Sequence, residues 1–495
     1  MMNSYTDISL DQIDPLLQRS LQAFLDFRSR PLADRAKLLR AIAAELEDMG
    51  DQWLAVANRE THLPEARLKN ERARTIFQLE SYALACEQGD WMRISIDTAL
   101  PERNPPRPDL RKMMIPLGPV IVFGASNFPY AYSTAGGDTA SAIAAGCSVI
   151  VKAHPAHPET SALAAAAIER AVDRTGMPKY IFQHVYGASF EVGKNLVQHP
   201  LSAAVGFTGS FKGGKQLFDW ANQREKPIPV FAEMGSVNPI FLLPGVLQSD
   251  AKELASKVAA SVTLGVGQFC TNPGILVGIQ SESLDSFRSH LTDLMEQVPS
   301  APMLHEGTQR AYQSHAAALR DQPGVSTCVR ANELEDGVAS PQLTVVDADR
   351  FMSNAQLQQE VFGPATLLVV CKDKEQLLAV AQNIEGQLTC SVFGIKEDLI
   401  AFQTLLQFLP LRCGRLNYNM VPTGVEVLQS MHHGGPFPAT TDARFTAVGS
   451  DAILRFVRPV SYQNCPEEWL PAELQSANPL NILRKVNGEW TRTSS

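Results

Sequence analysis

The feature that most constrains the fold of this chain is the alternation of short apolar runs with helix-like stretches between residues 120 and 222. Turns that contain glycine, proline or small polar residues separate each run from the stretch that follows. Short apolar runs are typical of strands buried on both faces, and strand, loop and helix in this order build a parallel sheet. The pattern predicts an α/β fold with a Rossmann-like, doubly wound sheet, whose strands lie at residues 120–123, 148–151, 181–186 and 203–207.

A chain of 495 residues is too long for a single hydrophobic core, so at least two domains are expected. Residues 10–88 have apolar positions at helical spacing, and we assign residues 1–90 and 113–234 to the first domain. Residues 235–450 form the second α/β domain, and residues 466–495 look like a peripheral tail. The strands of the second domain are predicted at residues 240–243, 275–279, 343–346, 365–370 and 391–395. Two segments outside both domains, a proline-rich hairpin and an edge strand, are predicted at residues 91–112 and 451–465.

Composition limits the possible partners and the compartment. The net charge is -9 and the chain has no sustained basic run, which argues against nucleic acid or an anionic membrane as a partner. The amino terminus lacks the pattern of a signal peptide, and no stretch is long and apolar enough to span a bilayer. The eight cysteines are scattered without a Cys-x-x-Cys pair, as expected for free thiols. We therefore expect a cytoplasmic protein.

Cys270 stands among glycines and small polar residues in the stretch 265–274, directly after a helix-like run. A packing cysteine normally lies inside an apolar strand or helix, whereas a thiol on a glycine-rich turn can be approached by a substrate. A lone cysteine is more often a packing residue, so the role depends on residues elsewhere in the chain. Two of these lie at strand ends. Glu233 is placed among apolar neighbours where desolvation could raise its pKa towards that of a useful base, and the amide of Asn127 could donate to an oxyanion.

Ligands of parallel sheets bind beyond the carboxyl ends of the strands, so the loops there are candidate cofactor sites. The glycine-rich loop 209–214 suits a phosphate, although such a loop is also a common tight turn. Lys152 ends another strand, where it could bind a ribose or a phosphate or simply be solvated. Neither of the histidine pairs has the spacing of a zinc site, and no metal is expected. These pairs are His154 with His157 and His432 with His433.

Together these pieces are similar to the aldehyde dehydrogenase superfamily, from about residue 116 to residue 449. Six short motifs occur in that family's order and at similar separations, and such a series is far more specific than any single motif. They lie at residues 127–129, 207–210 with Gly214, 233–235, 267–270, 360–364 and 414–417.

The resemblance implies a mechanism and a set of cofactor contacts. Cys270 would attack the aldehyde, with Asn127 and the Cys270 backbone N–H as oxyanion donors, and Glu233 would activate water to hydrolyse the thioester. Glu360 would bind the nicotinamide ribose and Phe362 would pack beside it. Lys152 would bind the adenosine ribose, with three residues near the diphosphate. These three are Gly209, Ser210 and Gly214.

One departure from the family pattern bears on the cofactor. Many NAD-dependent members have a glutamate three residues after the lysine, and that position is Pro155 here. Without this carboxylate a 2′-phosphate is not repelled, and Lys152, His154 and Lys212 could attract it. We therefore expect NADP, with NAD as a possible alternative. The family's usual second glycine after the catalytic glutamate is replaced by Ser236, which removes no catalytic group.

The motifs at residues 123–129, 135–141 and 431–442 resemble the branch that oxidises α-ketoglutaric semialdehyde, which is 2,5-dioxopentanoate. The same pattern is shared with an NADP-dependent fatty aldehyde dehydrogenase, so other aldehydes stay open. Phe128 is placed near the substrate, and Arg444 is our candidate for its distal carboxylate, although it could be an ordinary surface arginine. A cysteine esterase or acyltransferase is a more remote alternative, which leaves Lys152 and Glu360 without a role. The hairpin and edge strand resemble oligomerisation elements, so a homodimer or homotetramer is expected.

Overall fold

A computed structural model describes residues 5–330 and 337–494. The predicted domains and tail also include residues 1–4, 331–336 and 495. These residues lie outside this description. The helices are α1 (Ile13–Phe27), α2 (Leu32–Asp48), α3 (Gly50–Thr61), α4 (Glu65–Gln88), α5 (Gly137–Ala145), α6 (Pro158–Thr175), α7 (Phe190–Gln198), α8 (Phe211–Asn222), α9 (Pro244–Thr263), α10 (Glu282–Glu296), α11 (Glu306–Arg320), α12 (Ala348–Ser353), α13 (Lys374–Asn383), α14 (Lys396–Ala401) and α15 (Gln403–Phe408). The strands are β1 (Ser95–Asp97), β2 (Leu110–Pro116), β3 (Val120–Phe123), β4 (Val149–Lys152), β5 (Phe182–Val185), β6 (Ala204–Thr208), β7 (Val230–Glu233), β8 (Ile240–Leu242), β9 (Ile275–Ile279), β10 (Ala301–Pro302), β11 (Ser326–Val329), β12 (Val338–Ala339), β13 (Gln342–Asp347), β14 (Ala365–Cys371), β15 (Gln387–Phe393), β16 (Cys413–Tyr418), β17 (Val457–Gln463), β18 (Arg484–Val486) and β19 (Glu489–Thr491).

The first domain is built on a parallel sheet with strand order β5-β4-β3-β6-β7. Successive residues of β3 face different cores, because side chains alternate across a strand. Val120 and Val122 pack into the core shared with α2, α5 and α6, whereas Ile121 and Phe123 pack with α1, α7 and α8. Both faces of the sheet are therefore covered by helices, which confirms the predicted doubly wound architecture.

The second domain has a larger sheet with strand order β11-β13-β14-β9-β8-β15-β16. Its pairings are parallel except for that of β11 with β13. Strand β15 begins at Gln387, earlier than the predicted strand at residues 391–395. Its first half contains polar residues that are buried, because Gln387 accepts hydrogen bonds from the backbone N–H groups of Val237 and Asn238. An apolar pattern cannot reveal a strand of this kind.

A third sheet, with order β17-β2-β1-β18-β19, joins the two protruding segments. Strands β1 and β2 form the expected antiparallel hairpin, and β17 pairs with β2 along seven residues from Val457 to Gln463. The tail is not peripheral, because β18 pairs in parallel with β1 and Arg484 is fully buried. Its guanidinium donates to the carbonyl groups of Gln475 and Ser476, which fixes the tail against the sheet.

Among the described residues, every helix is too short or too polar to cross a bilayer.

Candidate active site

Cys270 lies on a strained turn after α9. Gly265, Val266 and Gly267 have φ values of 55°, 59° and 63°, a left-handed conformation that costs a residue with a Cβ atom about 1–2 kcal/mol. Gly267 must also be glycine for steric reasons, because a Cβ atom there would lie 2.2 Å from the backbone of Gly363. The turn directs the chain out of the helix and presents the half-buried thiol of Cys270, as the sequence predicted.

Buried amide side chains fix the backbone around this thiol. The Nδ2 atom of Asn238 donates to the carbonyl oxygens of Cys270 and Asn272, each at 2.9 Å. Asn272 in turn donates to Gly363 O at 3.1 Å, and Gln268 accepts from Leu304 N at 2.9 Å. The cysteine loop is therefore bonded to three separate segments of the second domain.

Two further side chains converge on the sulfur. The Sγ atom of Cys270 lies 3.6 Å from Nε2 of His433, and the same nitrogen lies 3.2 Å from Oε2 of Glu233. Only 4% of the Glu233 side chain and 2% of the His433 side chain are exposed. The main chains of their segments are also joined, because Met234 N donates to Ala439 O at 2.8 Å. We call Cys270, His433 and Glu233 the catalytic trio.

His433 is the residue of the trio that sequence reasoning missed. The two adjacent histidines differ in burial, since His433 is buried and His432 is only half-buried. The backbone N–H of His433 donates to Oγ1 of Thr446, and its carbonyl accepts from Ala447 N. These contacts, which come from later in the chain, decide which histidine reaches the thiol.

The electrostatics of the trio differ from the expectation for Glu233. Burial by itself raises the pKa of this carboxyl, but the neighbouring His433 and Cys270 outweigh burial, so its pKa lies below the ordinary value. The predicted upward shift is therefore wrong. Burial and the nearby carboxylate of Glu233 raise the pKa of the Cys270 thiol well above its ordinary value, so the resting sulfur is protonated.

Asn127 and Phe128 lie beside the cysteine loop. The buried amide of Asn127 donates to Gln268 O at 3.2 Å, two residues before Cys270. The ring of Phe128 packs edge to face on Phe269 with centroids 5.7 Å apart. The fold thus brings both residues to the side of the thiol, while their roles as oxyanion donor and substrate contact stay predictions.

Glu360 and Phe362 line a small cavity with Ser236 and Phe269. A Cβ atom at Gly235 would lie 2.8 Å from Oε2 of Glu360, so the glycine leaves room for this carboxyl. Burial, together with the charge of Glu233, raises the pKa of Glu360 to about 8. The carboxyl is therefore largely protonated at neutral pH and is able to donate a hydrogen bond to a ribose hydroxyl.

Lys152 and His154 lie together at the end of β4. The Nζ atom of Lys152 donates to Gly187 O at 2.6 Å, and burial lowers the pKa of Lys152 to about 8. His154 stacks on His157 with ring centroids 5.5 Å apart. Burial lowers the pKa of His154 well below its ordinary value, and the charge of Lys152 adds to this. His154 is thus neutral at pH 7 and supplies no charge for a 2′-phosphate, contrary to our expectation.

The glycine-rich loop precedes α8. Ser210 caps this helix, since its Oγ accepts from Gly213 N at 3.2 Å, and the N–H of Gly209 donates to Glu233 O at 3.0 Å. A Cβ atom at Gly214 would lie 2.5 Å from the Met234 side chain, so this glycine lets α8 pack closely on β7. The loop therefore offers an exposed helix N-terminus, which favours an anion.

Three arginines near the cysteine turn were not predicted. Arg67 donates to Asn127 O at 2.6 Å and lies over the rings of Phe128 and Phe269. Arg74 donates to Val425 O, and Arg415 donates to carbonyl groups of residues 422 and 424. All three arginines bond to backbone carbonyls. Within the described part of the chain, none of them has a carboxylate partner at ion-pair distance.

Arg444, the predicted partner of a substrate carboxylate, lies at the surface. Its side chain is 81% exposed, and its guanidinium bonds to both carboxylate oxygens of Asp442. The arginine is thus already paired, and its role toward a substrate stays a prediction.

Comparisons with known proteins found a matching family model, similar sequences and similar solved structures. The model of the aldehyde dehydrogenase family matches residues 1–436. The chain is 44% identical over 492 residues to the alpha-ketoglutaric semialdehyde dehydrogenase of Acinetobacter baylyi, covering 99% of this chain and 93% of that protein. It is 46% identical over 469 residues to alpha-ketoglutaric semialdehyde dehydrogenase 2 of Azospirillum brasilense, covering 94% and 89% of the two. A solved structure of 1-pyrroline-5-carboxylate dehydrogenase has the same fold, with a TM-score of 0.79, 21% identity, and coverage of 92% of this chain and 86% of that one.

Proposed function

Because the chain belongs to the aldehyde dehydrogenase family, it is an NAD(P)-dependent oxidoreductase, and we propose that it oxidises 2,5-dioxopentanoate to 2-oxoglutarate. The names of the two relatives at 44% and 46% identity support this substrate. The observation that carries the reaction itself is the convergence of Cys270, His433 and Glu233 within hydrogen-bonding range.

The first step is attack of the thiol on the aldehyde. As the Sγ–C bond forms, the thiol proton passes to Nε2 of His433, in the tautomer that holds its own proton on Nδ1. The imidazolium so formed faces the carboxylate of Glu233, which stabilises it. The carbonyl oxygen becomes an oxyanion, and the amide of Asn127 and the backbone N–H of Cys270 donate to it.

When bound, the nicotinamide cofactor supplies the hydride acceptor that oxidises the thiohemiacetal to a thioester. Glu233 then acts as the general base, since its lowered pKa keeps it ionised at neutral pH. Glu233 accepts a proton from a water molecule while the oxygen of that water attacks the thioester carbon. The bond between this carbon and the Cys270 sulfur then breaks. The acid is released and the thiol regains a proton.

The residues at the cofactor edge fit a nicotinamide dinucleotide. The capped N-terminus of α8 suits the diphosphate, and Lys152, which ends the parallel strand β4 at the same edge of the sheet, is our candidate for the ribose or its phosphate. Pro155 is exposed in the following turn, where a carboxylate would repel a 2′-phosphate. Together with Lys152 and the exposed Lys212, this supports NADP as the preferred cofactor, with NAD accepted less well.

The charge near the thiol supports an anionic aldehyde. Burial lowers the pKa of Arg415, and a negative charge on Cys270 opposes that effect. Arg74 likewise opposes the effects of burial and of Glu233 on the pKa of Cys270. We place the distal carboxylate of the substrate near Arg74 and Arg415, and keep Arg444 as the alternative.

The test is formation of reduced cofactor by the purified protein with NADP or NAD. The aldehydes are 2,5-dioxopentanoate, succinic semialdehyde, glutaraldehyde and a long-chain aldehyde, and Cys270→Ala is measured alongside. We expect fast NADPH formation on 2,5-dioxopentanoate, a loss of roughly 10⁴-fold or more in Cys270→Ala, and full activity in Cys328→Ala.

Other outcomes separate the alternatives. A preference for the long-chain aldehyde would keep the mechanism and replace the substrate. Hydrolysis of an ester that depends on Cys270, with no reduced cofactor from any aldehyde, would favour a cysteine esterase or acyltransferase.

A homodimer or homotetramer in the cytoplasm, assembled through the β17–β2 sheet, remains part of the proposal.

A further inference from the structure

The catalytic trio is also a group of three metal-ligand side chains. Its ligand atoms, one thiol, one imidazole nitrogen and one carboxylate oxygen, all lie within 4.8 Å of one another. They come from distant parts of the chain, namely the end of β7, the turn after α9 and the loop that contains His433. The hydrogen bonds described above hold each of these segments in place, so the three atoms are pre-organised.

The hydrogen bonding inside this set is incomplete. Both carboxylate oxygens of Glu233 are buried without a hydrogen bond of normal geometry, although Oε2 is 3.2 Å from Nε2 of His433. Nε2 of His433 faces both the carboxylate and the sulfur, and in the tautomer with the proton on Nδ1 this nitrogen donates to neither of them. A buried carboxylate with unused lone pairs is costly, and a cation at the centre of the trio would satisfy it.

We propose that Cys270, His433 and Glu233 bind one zinc ion in the resting enzyme, and that this binding inhibits the enzyme reversibly. Zinc prefers a tetrahedral set of sulfur, nitrogen and oxygen ligands at about 2.0–2.3 Å, which places pairs of ligand atoms about 3.3–3.6 Å apart. The measured separations of 3.6 Å for Sγ to Nε2 and 3.2 Å for Nε2 to Oε2 match this closely. Thiolate and imidazole ligands exclude magnesium and calcium, which take oxygen ligands.

Binding requires no oxidant. The Zn–S bond forms as the thiol proton is released to solvent, and the imidazole and the carboxylate donate lone pairs to the ion, whose fourth position is left to water. With the sulfur, the imidazole and the carboxylate all bound, the enzyme has no free nucleophile, no proton acceptor and no base. The inhibition rests on the proposed function, whereas the binding of the ion does not.

The direct test uses the full-length protein after treatment with a chelator. Cobalt(II) serves as a spectroscopic probe of the zinc site, and zinc affinity is measured by competition with a chromophoric chelator. We expect one ion per chain, a thiolate-to-cobalt charge-transfer band and the visible bands of a tetrahedral site. His433→Gln and Glu233→Gln should each weaken zinc binding by more than about 100-fold, since loss of a group that merely orients a ligand already costs about 10- to 100-fold.

His432→Gln is the matched control, because it changes the adjacent histidine, which is half-buried and outside the trio. It should bind zinc as the wild type does. A measurement on the wild-type protein covers the case in which a variant fails to fold. Zinc should protect Cys270 from alkylation by iodoacetamide, as quantified by mass spectrometry, and a chelator should restore alkylation.

The proposal is wrong if cobalt binds without a charge-transfer band, if His433→Gln binds zinc as tightly as the wild type, or if zinc leaves the alkylation of Cys270 unchanged. Zinc binding by a protein that reduces no cofactor with any aldehyde would leave the metal site standing and remove the proposed function.

Discussion

The cysteine turn and the cofactor edge of the first sheet are held in different ways. Around Cys270, three consecutive left-handed residues and buried amides such as Asn238 fix the backbone, and Nε2 of His433 lies 3.6 Å from Sγ of Cys270. At the proposed cofactor edge, Gly209, Ser210 and Lys212 are exposed, and the groups offered are an open helix terminus and two lysines, Lys152 and Lys212.

The difference follows from what each region must do. Bond formation depends steeply on geometry, and a displacement of about 1 Å can cost roughly 100-fold in rate, so the reacting groups need a backbone that cannot relax. A diphosphate and a ribose are held by several weaker contacts, which tolerate small displacements. We therefore expect substitutions around Cys270 to act mainly on kcat, and substitutions at the cofactor edge to act mainly on cofactor KM.

Among substitutions that leave Cys270 in place, Gly267→Ala is expected to have one of the two largest effects. The new Cβ atom would lie 2.2 Å from the backbone of Gly363 at a residue with a φ of 63°, so the cysteine turn must move. We expect kcat/KM to fall by roughly 100-fold, as for other displacements of this size. Gly176→Ala is the control, since Gly176 has a φ of 69° and an added Cβ atom there would meet no other atom within 4 Å. This variant should lose only about 1–2 kcal/mol of unfolding free energy. Unchanged kinetics in Gly267→Ala would contradict the idea of a rigid turn.

His433→Gln tests whether the trio acts as a unit. Glutamine keeps a polar side chain but cannot accept the thiol proton, so we expect kcat/KM to fall by about 100-fold, at the low end for loss of a general base. The rate at which iodoacetamide alkylates Cys270 should fall as well, which a purely structural role would not predict. Cofactor KM and the activity of His432→Gln should stay near the wild-type values. An equal loss in both histidine variants would show that the loop, and not the ring of His433, is what matters.

Arg74→Met tests the positive charge near the thiol. A charged hydrogen bond contributes about 1.5–3 kcal/mol, so kcat/KM for 2,5-dioxopentanoate should fall by about 10- to 160-fold. Activity on an uncharged aldehyde of similar length should change much less, and this ratio removes general effects on folding. The same measurement on Arg444→Met tests the competing assignment. A loss confined to Arg444→Met would place the carboxylate at the surface.

Lys152→Met should have the smallest effect, on the cofactor side of the comparison. We expect KM for NADP to rise by about 10-fold, the value of one charged contact, with kcat nearly unchanged. Because burial lowers the pKa of Lys152 to about 8, the ammonium is charged below that pH and neutral above it. NADP affinity of the wild type should therefore weaken as the pH rises through about 8, and Lys152→Met should lack this dependence. A fall in kcat without a change in KM would remove the distinction between the two regions.

Much of the fold could be predicted because its signals are local. Runs such as residues 120–123 and 275–279 show as uninterrupted apolar segments, and they form β3 and β9 within the two sheets. The start of β15 could not be found in this way, since its buried polar residues are satisfied by loops that lie far away in the sequence. The tail was misjudged for a similar reason, because it is held in the sheet by the pairing of β18 with β1, which lies far away in the sequence.

The sequence by itself determined the positions of many strands along the chain, the glycine-rich turn that presents Cys270, and the carboxyl of Glu233 at a strand end. These depend on side-chain period, on glycine conformation and on residue type, which are properties of short segments. Only the tertiary structure decided that His433 and not His432 reaches the thiol, that the pKa of Glu233 is lowered and that of Glu360 raised, and that Arg444 is paired at the surface. Direction, burial and electrostatic interaction are sums over neighbours brought together by folding, and no local pattern contains them.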